Sequence, residues 1–303
     1  MKPILPPPLR PGSRIGVVAP AGPIRSAALE EGLAYLREKG FQVVEGRHLL
    51  CRHGYLAGTD VQRAADLNRA MADPTLDAIV FARGGYGCGR ILEDLDFSPL
   101  RTRPKLFLGY SDLTAFYAAL MRATGIAGFY GPMVLNFNGA GREFRERALW
   151  SALLRTSGWH RFRLAPRGVM REGRAEGKLI GGCLSLLSSL VGTRFDLDTR
   201  GAILFWEEVD EEPYKIDRML NHLRMAGKFR DLRGMVVGRL ERCGPRGKTP
   251  GLPLTEILAD HLRGTRFPVV LNFPAGHAPG KVTLPLGLPA RLDTGTRLLE
   301  ITA

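Results

Sequence analysis

The sequence predicts an α/β fold, with an amino-terminal domain on a parallel sheet and a smaller carboxyl-terminal domain of mixed strands and helices. Three observations predict it. Through the first half, short apolar runs alternate with helically spaced apolar residues, the β-α-β rhythm of a parallel sheet covered on both faces. Glycines cluster at the ends of those runs, where such sheets bind ligands. In the second half the rhythm yields to short strands separated by turns, the pattern of a curled sheet. The expected division is residues 1–140, a crossing segment over 141–172, and 173–303.

Taken in order, a Pro-rich lead-in precedes the buried run Ile15 to Ala19, and Ala28, Leu29, Leu33 and Leu36 then share one helix face. Phe41 to Val44 is the next strand. Thr59 to Ala72 reads as a helix stopped by Asp73-Pro74, and Leu76 to Ala82 as a strand ending in the glycine loop 83–90. Leu106-Phe107-Leu108 is buried and turns at Gly109 into a helix starting near Asp112. Ile126 to Pro132 is a further strand and turn, and a helix is expected near Glu143 to Leu154. In the second half, Glu176 to Gly182 leads into a helix over Leu184–Val191. Ala202 to Trp206 is a buried strand, and Tyr214 to Met225 a helix with Pro213 at its start. Short strands follow at Met235–Val237, Val269–Leu271, Val282–Leu284, Ala290–Leu292 and Leu298–Ile301.

Composition narrows the function. With 45% hydrophobic and 24% charged residues the chain has the balance of a soluble globular enzyme. No apolar stretch is long enough to cross a bilayer, and the first residues lack a signal-peptide core, so a cytoplasmic protein without membrane attachment is expected. Cys51, Cys88, Cys183 and Cys243 are scattered, which suggests neither a disulfide framework nor a zinc knuckle. Lys plus Arg exceed Asp plus Glu by 43 − 30 = 13, but the excess is spread singly along the chain. That spacing argues against nucleic acid as a partner. An attraction to acidic small ligands or an arginine-rich proteome explains the excess equally well.

Ser111 stands where a strand gives way to a helix. Such a tight turn can raise a hydroxyl above the sheet, and the amide of the next residue, Asp112, can face an oxyanion. The competing reading is a helix cap, for which Ser and Asp are both suited. The G-x-S-x-G pattern is incomplete, because Leu113 replaces the second glycine. In the loop Arg83 to Arg90 the glycine register fits no dinucleotide site and there is no P-loop, so no cofactor is expected. The loop is either a plain turn or a donor of amides facing Ser111. No metal centre is expected, since no histidines or thiolates stand at ligand spacing.

A serine hydroxyl needs a base, and the base needs an orienting group. Of six histidines, only His277 lies in a stiff Gly/Pro loop directly after an apolar strand, Phe273 to Lys281. Its alternative is a loop histidine bonded to backbone. Glu207 directly follows the strand Ala202 to Trp206, a firm place for an orienting carboxylate. A solvated acidic turn is the other reading, and Glu211 is the competing carboxylate.

At these residues the chain resembles the LD-carboxypeptidase family, serine peptidases with a Ser-Glu-His triad that include the microcin C self-immunity peptidases. The resemblance is carried by RIGVVAPAGP at 14–23, ARGGYGCGRIL at 82–92, LGYSDLTAFY at 108–117, GKLIGGCLSLLSSLVGT at 177–193, FWEEVDEEPYKIDRML at 205–220 and FPAGHAPGKVTLPLG at 273–287. It implies a Rossmann- or flavodoxin-like first domain, a second with a β-barrel-like sheet, and a homodimer. By position it implies Ser111 as nucleophile, His277 as base and Glu207 as its orienter. Gly85 and Asp112 would supply the oxyanion amides, and Arg83, Tyr86 and Tyr130 would wall the pocket. The implied reaction removes terminal D-Ala from murein tetrapeptides in peptidoglycan recycling. The alternatives are hydrolysis of acyl-sulfamoyl aminoacyl nucleotides, as in the immunity members, and non-catalytic muropeptide binding.

Overall fold

A computed structural model describes residues 2–137, 144–154, 159–246 and 251–302. It divides into two compact units, Met1–Ser157 with Pro279–Gly287, and Gly158–Ala278 with Leu288–Ala303.

The first unit runs β1 (Arg14–Val18), α1 (Ser26–Glu38), β2 (Gln42–Glu45), α2 (Asp60–Ala72), β3 (Ala78–Phe81) and a 3-10 turn over Cys88–Asp94. It continues with α3 (Pro99–Thr102), β4 (Leu106–Gly109), α4 (Leu113–Thr124), β5 (Gly128–Tyr130) and α5 (Glu146–Leu153). Local chemistry sets the ends. Thr59 and Gln62 form a reciprocal capping box at the start of α2, and Gly125 closes α4 in the left-handed region at φ 77°. Every residue of β3 and β4 is buried, as a strand covered on both faces requires. Phe81, Phe107 and Phe116 pack ring to ring with centroids 5.0 to 6.4 Å apart.

The second unit runs β6 (Trp159–Arg163), β7 (Val169–Arg171), β8 (Arg174–Cys183), α6 (Leu184–Leu190), β9 (Ala202–Glu207), α7 (Pro213–Met225), β10 (Gly234–Gly238), α8 (Leu254–His261) and β11 (Val269–Phe273). The chain then returns to the first unit for β12 (Leu284–Leu286) and closes the second with β13 (Pro289–Asp293) and β14 (Leu298–Thr302).

The first sheet has the order β12-β5-β4-β3-β1-β2, parallel throughout except for β12. The carboxyl ends of β1, β3 and β4 are therefore neighbours. The second sheet has the order β6-β14-β13-β8-β9-β10-β11-β7, with a parallel centre from β8 to β11 and antiparallel flanks. The mixed character is as the sequence predicts, and the end strands β6 and β7 do not pair among the described residues.

Several local expectations change. The stretch 141–172 carries α5 at the end of the first unit and β6 and β7 of the second. Residues 174–183, the approach to α6, form one long strand. Its glycines admit the neighbouring backbone: a Cβ on Gly177 would lie 2.3 Å from the Gly201 carbonyl oxygen, and one on Gly181 would fall inside that of Phe205. The strand expected at Val282–Leu284 forms two residues later and joins the first sheet, and α8 is additional. No helix among the described residues is long and apolar enough to cross a membrane.

Candidate active site

Ser111 occupies the turn between β4 and α4 with φ 66°, in the left-handed region that a non-glycine residue adopts only under constraint. The constraint is visible. The Ser111 amide donates to the Tyr130 hydroxyl at 3.1 Å, and the Ser111 carbonyl accepts from the Thr114 amide at 2.9 Å and hydroxyl at 2.7 Å. The residue at the helix cap position is Asp112, whose side chain makes no capping bond. Gly109 precedes the turn because a Cβ there would meet the Phe81 ring at 2.8 Å.

The glycine loop after β3 reaches this turn, as adjacent parallel strands dictate. A Cβ on Gly84 would lie 3.0 Å from the Ser111 Cβ and 3.2 Å from its Oγ. Two buried charged side chains grip the loop. The Asp112 carboxylate, 1% exposed, accepts the Cys88 amide at 2.7 Å. Arg63 of α2, also 1% exposed, donates to the Gly87 carbonyl at 2.8 Å and to the Pro20 carbonyl, and is paired with Asp60. Three loops are thereby tied to one another. The amides of Gly85 and Asp112 have no hydrogen-bond partner among the described residues, which leaves them available as donors.

Burial pushes the Asp112 carboxyl from 3.8 up to about 6, with the Cys88 amide and Arg63 pulling the other way. The folded chain thus keeps a proton that the unfolded chain releases at lower pH. The contribution of this group to stability is intact below about pH 4, declines as pH rises toward 6, and is gone above that. A shift of about two units is worth about 3 kcal/mol. Asp112→Asn should abolish this slope, so that the wild-type urea midpoint falls relative to that of the variant between pH 4 and 6.5. Parallel midpoints across that window would exclude a buried ionisation here.

In the second unit the Glu207 carboxylate, fully buried at the end of β9, accepts both the Nδ1 of His277 at 2.7 Å and its backbone amide at 3.0 Å through the same oxygen, Oε2. A carboxylate can only accept, so Nδ1 is the donor in this bond and the ring orientation is fixed with Nε2 on the far side. Two glycines make room for the pair. A Cβ on Gly276 would lie 2.5 Å from Glu207 Oε2, and one on Gly238 would lie 2.6 Å from the Glu207 Cβ. Glu208 faces elsewhere, with its carboxylate accepting the Ser185 amide at 2.7 Å and the Val209 amide at 2.9 Å. Glu211 pairs with Lys215 at 3.2 Å. Of the two competing carboxylates, then, the one that reaches His277 is Glu207.

Other histidines have different partners. His48 pairs with Asp66 at 2.9 Å and His261 with Asp217 at 2.5 Å. A serine–histidine pair within the second unit, Ser188 and His222 at 3.0 Å, has no carboxylate on the ring among the described residues. Arg83 is exposed and donates to the Pro23 carbonyl at 2.9 Å; Tyr86 is 53% exposed with its ring 5.8 Å from that of Tyr55. Tyr130 differs from the expected wall residue. It is 1% exposed, and its hydroxyl supports the serine turn from within. Sequence reasoning missed Arg63, the carboxylate of Asp112 and Gly84. An arginine at an inward helix position was the available signal for the first.

Comparison with known proteins matches residues 15–131 to the LD-carboxypeptidase N-terminal domain and residues 176–292 to the LD-carboxypeptidase C-terminal domain. A probable murein peptide carboxypeptidase of Bacillus subtilis is 39% identical over 297 residues, covering 97% of this chain and 93% of its own. A muramoyltetrapeptide carboxypeptidase from Oxalobacter formigenes superposes with a TM-score of 0.84 at 29% identity, over 96% of this chain and 99% of its own. The protein MccF, solved in complex with glutamyl sulfamoyl guanosine, superposes with a TM-score of 0.91 at 25% identity, over 99% of both chains. With both domain types matched in order and full-length relatives on either side of the fold comparison, the chain belongs to the LD-carboxypeptidase family.

Proposed function

We propose that this chain is a serine-type LD-carboxypeptidase that hydrolyses the amide between an L-centre, Lys or diaminopimelate, and the terminal D-Ala of a murein tetrapeptide. The observation that carries the reading is the buried Glu207 oxygen that fixes the His277 ring through Nδ1 and fixes its backbone through the amide. That arrangement prepares Nε2 as a general base. The Ser111 hydroxyl attacks the scissile carbonyl while Nε2 takes its proton. The amides of Gly85 and Asp112 receive the oxyanion. The C–N bond then breaks as the imidazolium returns the proton to the departing D-Ala nitrogen. Water, deprotonated by the same ring, hydrolyses the acyl-serine and frees the tripeptide. Glu207 keeps its hydrogen bond to Nδ1 and stabilises the imidazolium. Arg83 and Tyr86, both exposed beside the glycine loop, are the candidates for contact with substrate. Cytoplasmic recycling by a homodimer belongs to the same proposal.

Incubation with a murein tetrapeptide should release D-Ala and leave a tripeptide, read by mass spectrometry. Cleavage confined to aminoacyl sulfamoyl adenosine would move the chain to the immunity-type activity suggested by its likeness to MccF. Binding of tetrapeptide without cleavage, together with no fluorophosphonate label on Ser111, would make it a binding protein.

A further inference from the structure

At the amino ends of β8, β10 and β11 the second unit has a cavity of about 740 Å³, and five arginines line it: Arg174, Arg230, Arg233, Arg263 and Arg266. The carboxylate among its lining residues is Glu176, which is held by Arg291 at 2.6 Å. Arg174 is paired with Asp293 at 2.8 Å and Arg263 with Asp260 at 2.9 Å. Arg230, Arg233 and Arg266 are exposed and have no ion-pair partner among the described residues. The floor is apolar, with Ala175, Leu232, Phe267 and Pro268 buried beneath the guanidinium groups.

From this we infer that the cavity is a binding site for a small polyphosphorylated anion, separate from the Glu207–His277 pair. Three uncompensated guanidinium groups around one concavity hold a positive potential that low-dielectric walls strengthen. Their planar forks match phosphate oxygens two at a time, and several such bonds together favour a ligand with several charged groups over a single carboxylate. The volume is that of a site for a drug-sized or nucleotide-sized molecule. The same sign throughout makes the patch unsuited to pairing with its own copy across a two-fold axis. The site is also remote from the candidate base. The Arg233 amide bonds the carbonyl of Ala202 at the start of β9, whereas Glu207 ends that strand, and five strand steps span about 17 Å.

The test is calorimetric titration of the full chain with sodium tripolyphosphate and, separately, with ATP, at two salt concentrations. Saturable binding at one site is expected, weakening as salt rises. ATP binding more tightly than tripolyphosphate would identify a nucleotide resting its base on the apolar floor, and the reverse order would identify the phosphate chain as the whole ligand; both support the site. The triple variant Arg230→Gln, Arg233→Gln, Arg266→Gln should weaken binding about 30-fold or more. A control with the same charge loss elsewhere, Arg10→Gln, Arg52→Gln, Arg122→Gln, should stay within about twofold. Urea midpoints establish that both variants fold, and the single Arg233→Gln serves if the triple does not. No saturable binding at millimolar ligand, or equal losses in the two triple variants, would overturn the proposal.

Discussion

His277→Ala is expected to lower tetrapeptide turnover on the order of 10⁴-fold, with a folded protein and an intact serine turn. The ring is the only part of the Glu207–His277 arrangement that can take a proton from an alcohol, because Glu207 is buried and committed to Nδ1. Truncation leaves the Glu207 carboxylate with the main-chain amide of residue 277 at 3.0 Å, so the buried charge keeps one donor and loses another. Some loss of stability accompanies the loss of rate, on the order of 1–3 kcal/mol. Ser111→Ala separates the two effects, since it deletes one oxygen and leaves the buried pair untouched. Turnover measured alongside urea midpoints decides the matter. Either variant keeping a tenth or more of wild-type turnover would remove that residue from the mechanism.

Gly276→Ala should do nearly as much damage for a different reason. At φ +110° the position is closed to L side chains, and the added methyl would stand 2.5 Å from Glu207 Oε2 and 2.6 Å from its Cγ. Either the loop lifts or the carboxylate moves, and each breaks the bond to Nδ1. A destabilisation of about 3 kcal/mol and a loss of turnover on the order of 10²-fold are expected. Gly192→Ala is the matched control, because that residue is also left-handed, at φ +83°, with nothing within 4 Å of the added carbon. It should show the conformational strain alone, about 1 kcal/mol, and full activity. Equal effects at the two positions would mean that closeness to Glu207 is unimportant.

The contrast between these glycines shows where sequence reading reaches its limit. Ser111 was legible because an apolar run, a glycine and a helical spacing leave only a turn for it to occupy. Glu207 and His277 were legible as residues placed directly after buried strands. Their meeting was not, because it depends on β9 and β11 lying one strand apart with β10 between them, and pairing order leaves no local trace. The helix that follows residue 183 was legible, but the long strand before it was not, because its small residues leave no strand pattern and mark only where a neighbour's backbone comes close. Arg63 was hidden for a different reason: a charged residue in an amphipathic helix ordinarily faces water, and the carbonyls of two converging loops, with the Asp60 carboxylate, make its burial tolerable. Tyr130 ends a short apolar strand, and nothing in that pattern tells a wall from a prop.

The passage of residues Pro279–Gly287 back into the first unit bears on how the protein is made. Until that segment leaves the ribosome, β5 has no neighbour on one side, because its partner Leu284–Leu286 is made only after residues 158–278 of the second unit. The nascent chain therefore carries an unsatisfied strand border while that intervening stretch is made, a state prone to pairing with other chains. A fragment ending near residue 157 would inherit that border permanently, so the amino-terminal half is a poor choice for expression by itself.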